Sequence, residues 1–350
     1  MPPTTPTIPI IEAESLTKVY RTYRREQGLS AALKSVLFRD FVVAHAITGV
    51  SFTIDEGEMV AFVGANGAGK STTMKILTGV LVPTAGTVRV LGFVPWKQRR
   101  FYTRHIGAVF GQKSQLWWDL PPVDAFHLNK DIYRIADRPF KDTLGLLTEI
   151  LRLGEVIHRP TRSLSLGERM KCELVLALLH QPPLLFLDEP TIGIDAMAKD
   201  EIRELFAEIN RRSRTTILLT THDMEDVEEI CRRLIVIDHG RVIFDGQLAE
   251  AMRRYSRWKV VDLEISAIKD QALLDRIAAC GTVLTDRPRF KSIRFAKETA
   301  DVPRMVAGLI SACEVIDLTI HEPKLEQVIR EIYRQQESCR EAAASAGGIA

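Results

Sequence analysis

A chain of 350 residues, 46% hydrophobic and 26% charged, can bury a sizeable core and has room for more than one domain. Its 47 Lys and Arg against 45 Asp and Glu leave a net charge of +2, which lends no bulk-charge support to nucleic-acid binding. The five cysteines (Cys172, Cys231, Cys280, Cys313, Cys339) are scattered without a CxxC pair. That usage fits free thiols in a reducing cytoplasm better than a disulfide framework or a zinc site.

Residues 1–10, rich in Pro and Thr, read as a disordered tail without the charged and apolar regions of a signal peptide. From residue 11 to 247, short β-rich runs alternate with helical stretches, the pattern of an α/β domain. Within it, 21–41 is a basic insertion carrying Arg21, Arg24, Arg25, Lys34 and Arg39. Its Leu29, Leu33, Val36 and Leu37 share one face of a short amphipathic helix. Packing on its own domain is the favoured reading; contact with lipid headgroups or a membrane partner is the alternative. The runs MVAFVG, LLFLD and TTILLTTH are apolar throughout and end in polar residues, as strands buried on both faces do. No apolar run is long enough to span a bilayer, so work at a membrane would need a partner.

Residues 113–181 read mostly as helix, after GQKSQLWWDLPP at 111–122. Neighbouring residues point to opposite faces of a strand and about 100° apart on a helix. One small core is therefore a poor home for both Trp117 and Trp118. Residues 248–257 read as a linker. Over 258–334 the order is strand, helix (271–279), strands (282–287, 292–295), helix (301–312) and strand (315–320). That is the βαββαβ order of a ferredoxin-like unit, with a last helix striped by Leu325, Val328, Ile329 and Ile332. No catalytic constellation falls there, which suits a regulatory or dimerising domain. Residues 335–350 read as a second disordered tail.

The chemistry lies in the first domain. Gly64, Ala65, Asn66, Gly67, Ala68, Gly69, Lys70, Ser71 and Thr72 meet the G-x-x-x-x-G-K-[ST] pattern between a strand and a helix. Glycines let backbone N–H groups curl round a polyanion, and the helix N-terminus adds a favourable dipole. Lys70 offers a positive charge to the β- and γ-phosphates, and the Ser71 hydroxyl a ligand for Mg²⁺. Asp188 and Glu189 end a buried run: Asp188 suits a Mg²⁺ ligand, and Glu189 suits a general base for water. His222, at the polar end of another strand, suits a γ-phosphate contact.

This ordered set, with SLSLGERMK between its parts, resembles the ATP-binding cassette (ABC) ATPases over essentially all of 11–247. The resemblance makes Gly64–Thr72 the Walker A loop and Gln112 the Q-loop glutamine, a Mg²⁺ contact beside Ser71 and Asp188. Ser165 to Glu168 would be the signature, with Ser165 and Gly167 facing the ATP of a second subunit. Asp188 and Glu189 would be Walker B and catalytic base, Ile194–Asp195 the D-loop, and His222 the switch histidine. The usual L-S-G-G-Q signature stands here as Leu164, Ser165, Leu166, Gly167, Glu168. Tyr20 is the candidate for stacking on adenine, with Phe41 as the alternative.

The fold implied is an α/β P-loop NTPase with a RecA-like core, an antiparallel β subdomain and a helical subdomain. A small α+β ferredoxin-like domain would follow. The resemblance further implies ATP and Mg²⁺ as ligands, and head-to-tail closure with a second ATPase subunit, identical or different. It implies a separately encoded membrane permease, at the cytoplasmic face of the inner membrane, and no nucleic acid. In that family the segment after the Q-loop helps form the groove for the permease, so at least one of Trp117 and Trp118 should face it. The C-terminal part, together with VLGFVPW, is similar to cassettes of ABC-2-type exporters. A soluble ABC ATPase acting in translation, DNA repair or cofactor assembly is the alternative. A single cassette without coiled coils or zinc modules weighs against it.

Overall fold

The computed structural model describes residues 9–23, 41–111, 113–256, 258–296 and 301–346. The chain divides into two units, 1–246 and 247–350, each with its own core. The strands of the first unit are β1 (Pro9–Tyr23), β2 (Phe41–Asp55), β3 (Met59–Gly64), β4 (Ala85–Val90), β5 (Ile106–Phe110), β6 (Leu184–Asp188), β7 (Thr216–Thr220), β8 (Arg233–Asp238) and β9 (Arg241–Gln247). Its main helices are α1 (Lys70–Leu77), α2 (Pro122–Tyr133), α3 (Asp137–Ile150), α4 (Leu166–Leu178), α5 (Ala196–Ser213) and α6 (Met224–Ile230).

Six strands form one sheet in the order β5-β6-β7-β3-β8-β9, with β5, β6, β7, β3 and β8 pairing in parallel. Every residue of β7 and the first four of β6 are buried, as continuous apolar runs require when both faces are covered. A second, three-stranded antiparallel sheet runs β2-β1-β4, with Ile11 opposite Ile54 and Tyr20 opposite Ala44. The core joins the inner faces of both sheets and α1. Phe52 of β2 lies against Phe62 of β3, ring centroids 5.7 Å apart. Helices α2, α3 and α4 make up the helical region. Leu174 and Val175 of α4 are fully buried.

In the second unit, α7 (Leu248–Tyr255) precedes β10 (Trp258–Ile268), α8 (Gln271–Ala279), β11 (Thr282–Arg287) and β12 (Phe290–Ala296). Then come α9 (Val302–Ala312), β13 (Cys313–His321) and α10 (Leu325–Ala346). The sheet is antiparallel in the order β11-β12-β10-β13, the ferredoxin-like arrangement. Val261, Leu263 and Ile265 alternate onto its covered face and pack with Leu274, Ile277 and Leu309 of α8 and α9.

Three segments differ from the sequence expectation. Residues 248–255, expected as linker, form α7, whose buried Ala251 and Tyr255 at i, i+4 pack with α10. Residues 335–346, expected as a disordered tail, continue α10. Glu, Gln, Arg and Ala are strong helix formers, and the next glycine is Gly347. The ends of the 21–41 insertion extend the β1–β2 hairpin to the pair Tyr23–Phe41. Its expected amphipathic helix lies outside the described residues. Among the described residues, no helix is long and apolar enough to cross a membrane.

Candidate nucleotide site

Four neighbouring strands end on one edge of the parallel sheet: β3 at Gly64, β5 at Phe110, β6 at Asp188 and β7 at Thr220. Ligands of open α/β sheets bind at such carboxyl ends. After β3 the chain turns back on itself. Gly67 and Gly69 hold φ of 82° and 111°, values costly for any residue with a Cβ. At Gly69 a Cβ would also lie 2.7 Å from the Ala46 carbonyl oxygen. The turn delivers the N-terminus of α1, which has no side-chain cap, so its first N–H groups remain for an anion. Lys70, buried at the first helical position, donates from Nζ to the carbonyl oxygens of Gly64 (2.8 Å) and Ala65 (3.2 Å). Burial lowers its pKa, while the charges of Glu189 and Asp188 act in the opposite direction.

The acidic side is built from β6 and β7. Asp188 Oδ1 accepts from Thr220 Oγ1 (2.5 Å) and from Ser71 Oγ (3.3 Å), which ties the two strand ends to α1. Glu189 adopts φ 55°, a left-handed conformation rare for a residue with a side chain. Its N–H donates to the Thr220 carbonyl oxygen at 2.9 Å. Strain of this kind persists only where the surroundings enforce it, and it clusters at functional sites. The Glu189 carboxylate lies 3.7 Å from His222 Nδ1, so the two side chains face each other at the strand ends. Gly111 brings the end of β5 against the same corner: its N–H donates to Asp188 O at 2.9 Å. A Cβ there would sit 2.4 Å from the Glu189 carbonyl oxygen.

Asn66, Gly67, Gly69, Lys70, Ser71, Thr72, Asp188, Glu189 and His222 line one cavity of about 840 Å³. Gly64, Ala65 and Ala68 shape the loop without lining it. Gln112 lies outside the described residues. Seven further residues complete the wall: Ala46, Lys75, Val80, Phe110, Gly111, Lys113 and Ile192. Lys75, four residues after Ser71 on α1, had a sequence signal in its helical spacing; Ala46 comes from a distant strand and had none.

Residues 47–192 match the ABC transporter family. The chain is 32% identical over 206 residues to the ABC transporter ATP-binding protein NatA of Bacillus subtilis, spanning 59% of this chain and 83% of that protein. It is 33% identical over 217 residues to the Nod factor export ATP-binding protein I of a Rhizobium species, 62% of this chain and 71% of that protein. This chain belongs to the ATP-binding proteins of ABC transporters. A solved ATP-binding subunit of an ABC transporter superposes with a TM-score of 0.59 at 27% identity, covering 70% of this chain and 93% of that one. The chain is therefore an ATP-binding, ATP-hydrolysing transporter subunit, and the soluble-ATPase alternative is set aside.

Several residues expected at the nucleotide do not line the cavity. In this ABC ATPase the Ser165 side chain caps α4, and with Glu168 it forms a reciprocal capping box: Glu168 N to Ser165 Oγ 3.2 Å, Ser165 N to Glu168 Oε2 2.8 Å. The departure from the usual glutamine thus keeps a helix-starting function, and Arg159 pairs with the same carboxylate. Gly167 is buried where a Cβ would meet that of Ala198 at 3.1 Å. Asp195 caps α5, accepting from Ala198 N at 3.0 Å. Tyr20 is exposed on β1 with the Lys18 ammonium 5.4 Å above its ring. Phe41 opens β2.

Trp117 and Trp118 are 49% and 58% exposed, so neither ring belongs to a core. Their loop is held from below by Glu173 of α4, which had no sequence signal. Its Oε1 accepts from Ser114 Oγ (2.5 Å), Gln115 N (2.8 Å) and Leu116 N (3.3 Å). From the side, Arg162 N donates to Trp118 O (2.9 Å) and Arg162 Nη1 to Asp119 Oδ1 (2.9 Å). The two adjacent indoles are thus exposed on a backbone fixed at several points.

Proposed function

We propose that this ABC ATPase energises export across the cytoplasmic membrane, working as a dimer on the cytoplasmic face of a separately encoded permease. The observation that carries the dimer is the split of the expected ATP contacts. Lys70, Ser71, Glu189 and His222 share one cavity, whereas Ser165, Gly167 and Asp195 lie outside it. Two copies closing head to tail would supply each ATP with both halves, a ligand-driven shift between open and closed states. Export is supported by a relative whose name is an export ATP-binding protein.

In this reading the P-loop amides and Lys70 hold the phosphates, Glu189 accepts the proton of the attacking water, and His222 contacts the γ-phosphate. Gln112, as the Q-loop glutamine, would contact the Mg²⁺, and Tyr20 or Phe41 stacks on adenine. The Ser71 hydroxyl and Asp188 carboxylate, 3.3 Å apart, are a hard-oxygen pair suited to Mg²⁺ shared with substrate phosphates. The bound ion would neutralise charge developing on the phosphoryl group. The functional division follows the chain: nucleotide chemistry in 11–247 and a regulatory or dimerising role for 258–334. At least one of the exposed Trp117 and Trp118 would face the permease, since large aromatics are the usual anchors of protein interfaces.

Co-purification of a membrane-spanning permease with the chain from detergent-solubilised membranes tests the partner. Trp117→Ala with Trp118→Ala should reduce recovery of the complex at least tenfold while ATPase activity of the isolated subunit persists. Undiminished recovery would refute the tryptophan pair as the docking site.

A further inference from the structure

A buried polar cluster ties the chain segment of Glu189 to that of His222. Thr191, two residues beyond Glu189, donates from Oγ1 to Asp226 Oδ2 at 2.5 Å. Asp226, in the first turn of α6, is 0% exposed. Its Oδ1 accepts from Arg203 Nε (2.9 Å) and Nη2 (2.7 Å) on α5. Arg203 also reaches Asp200 Oδ1 at 3.3 Å and Glu225 Oε2 at 3.4 Å. One turn earlier on α5, Lys199 pairs with Asp223, the residue directly after His222. The Asp223 side chain in turn caps α6, accepting from Glu225 N at 3.1 Å.

We propose that Thr191, Asp226 and Arg203 are positioning residues for ATP hydrolysis, setting the Glu189–His222 geometry from α5. Pro190, with its restricted φ, is the sole residue between Glu189 and the anchored Thr191, so the anchor leaves the base little slack. On the other strand, Asp223 leaves His222 equally little. The fully buried Asp226 carboxylate cannot part from Arg203 without being left an unpaired charge, which holds the cluster in one arrangement. The two catalytic side chains meet at 3.7 Å because both flanks are fastened to one helix. Neither Thr191 nor Arg203 nor Asp226 lines the nucleotide cavity, so their effect on hydrolysis runs through position alone.

The inference rests on Glu189 and His222 as the catalytic pair, and the test keeps the two ideas apart. Steady-state ATPase kinetics are measured on the full chain for Thr191→Val, Thr191→Ser and Glu189→Gln. Valine keeps the shape of threonine but removes the donor; serine keeps the donor. Small misplacements of reacting groups cost about 10²-fold, and loss of one hydrogen bond should lower kcat by roughly tenfold in Thr191→Val. KM for ATP should stay within about twofold, and Thr191→Ser should recover most of the rate. Unchanged kcat in Thr191→Val beside an inactive Glu189→Gln would overturn the positioning role alone. A fall in kcat matched by Thr191→Ser, or paralleled by weaker ATP binding, would also overturn it, because the effect would then be general loosening. An active Glu189→Gln would instead overturn the catalytic pair.

Discussion

Glu173 shows how one buried charge can organise a loop far from it in sequence. Its carboxylate sits on α4 and holds the backbone of 114–116 in place. Burial pushes its pKa above the ordinary value of 4.5, while Ser114, Gln115, Leu116 and the charge of Arg169 pull partly back. A raised folded-state pKa means that the native state binds this proton more tightly than the unfolded chain. The associated stability is complete below the unfolded value and is lost as pH rises through the folded value. Glu173→Gln removes that titration and keeps an acceptor for the loop. The melting temperature of the parent should therefore fall relative to Glu173→Gln as pH rises above 4.5. A difference independent of pH would contradict the buried charge. Residues such as Lys70, Asp188 and His222 were legible because each sits in a short pattern at a strand end. Glu173 and Asp226 were not, since their partners lie 59 and 35 residues away and only the folded chain brings them together.

Among elements, α4 carries the most consequence. Its first turn is fixed by the Ser165–Glu168 box, and its middle supports the tryptophan loop. The sequence S-x-x-E marks a helix start on physical grounds, and in this chain the marker falls on the proposed ABC signature. Ser165→Ala should cost about 1 kcal/mol of stability, the usual value of a lost N-cap. Glu168→Gln should cost much less, since an amide can accept the same Ser165 N–H. Denaturant midpoints of the two variants check this; equal losses would contradict the box. Element boundaries were well read where hydrophobic alternation was clear, as in β10 and α8. They differ at 248–255, where charged residues flank a buried stripe, and at 335–346, where Glu, Gln, Arg and Ala are strong helix formers.

At the scale of the whole molecule, two units with separate cores sit on one chain, and only the first holds the nucleotide cavity. The parallel sheet aligns the ends of four strands, and that alignment makes one site from residues spread between Gly64 and His222. The order of those motifs was readable before any coordinates, since each strand announces itself by an apolar run. Ser165 and Gly167, expected at the ATP of a second subunit, stand apart from the cavity of their own chain, as the proposed head-to-tail dimer requires. Phosphate release from Mg·ATP by Glu189→Gln, measured beside its ATP-dependent dimerisation, tests the central claim most directly. Turnover reduced by about 10²–10⁴-fold, with ATP still bound and the dimer accumulating, is the expected result for loss of a general base. Near-parental turnover would contradict it.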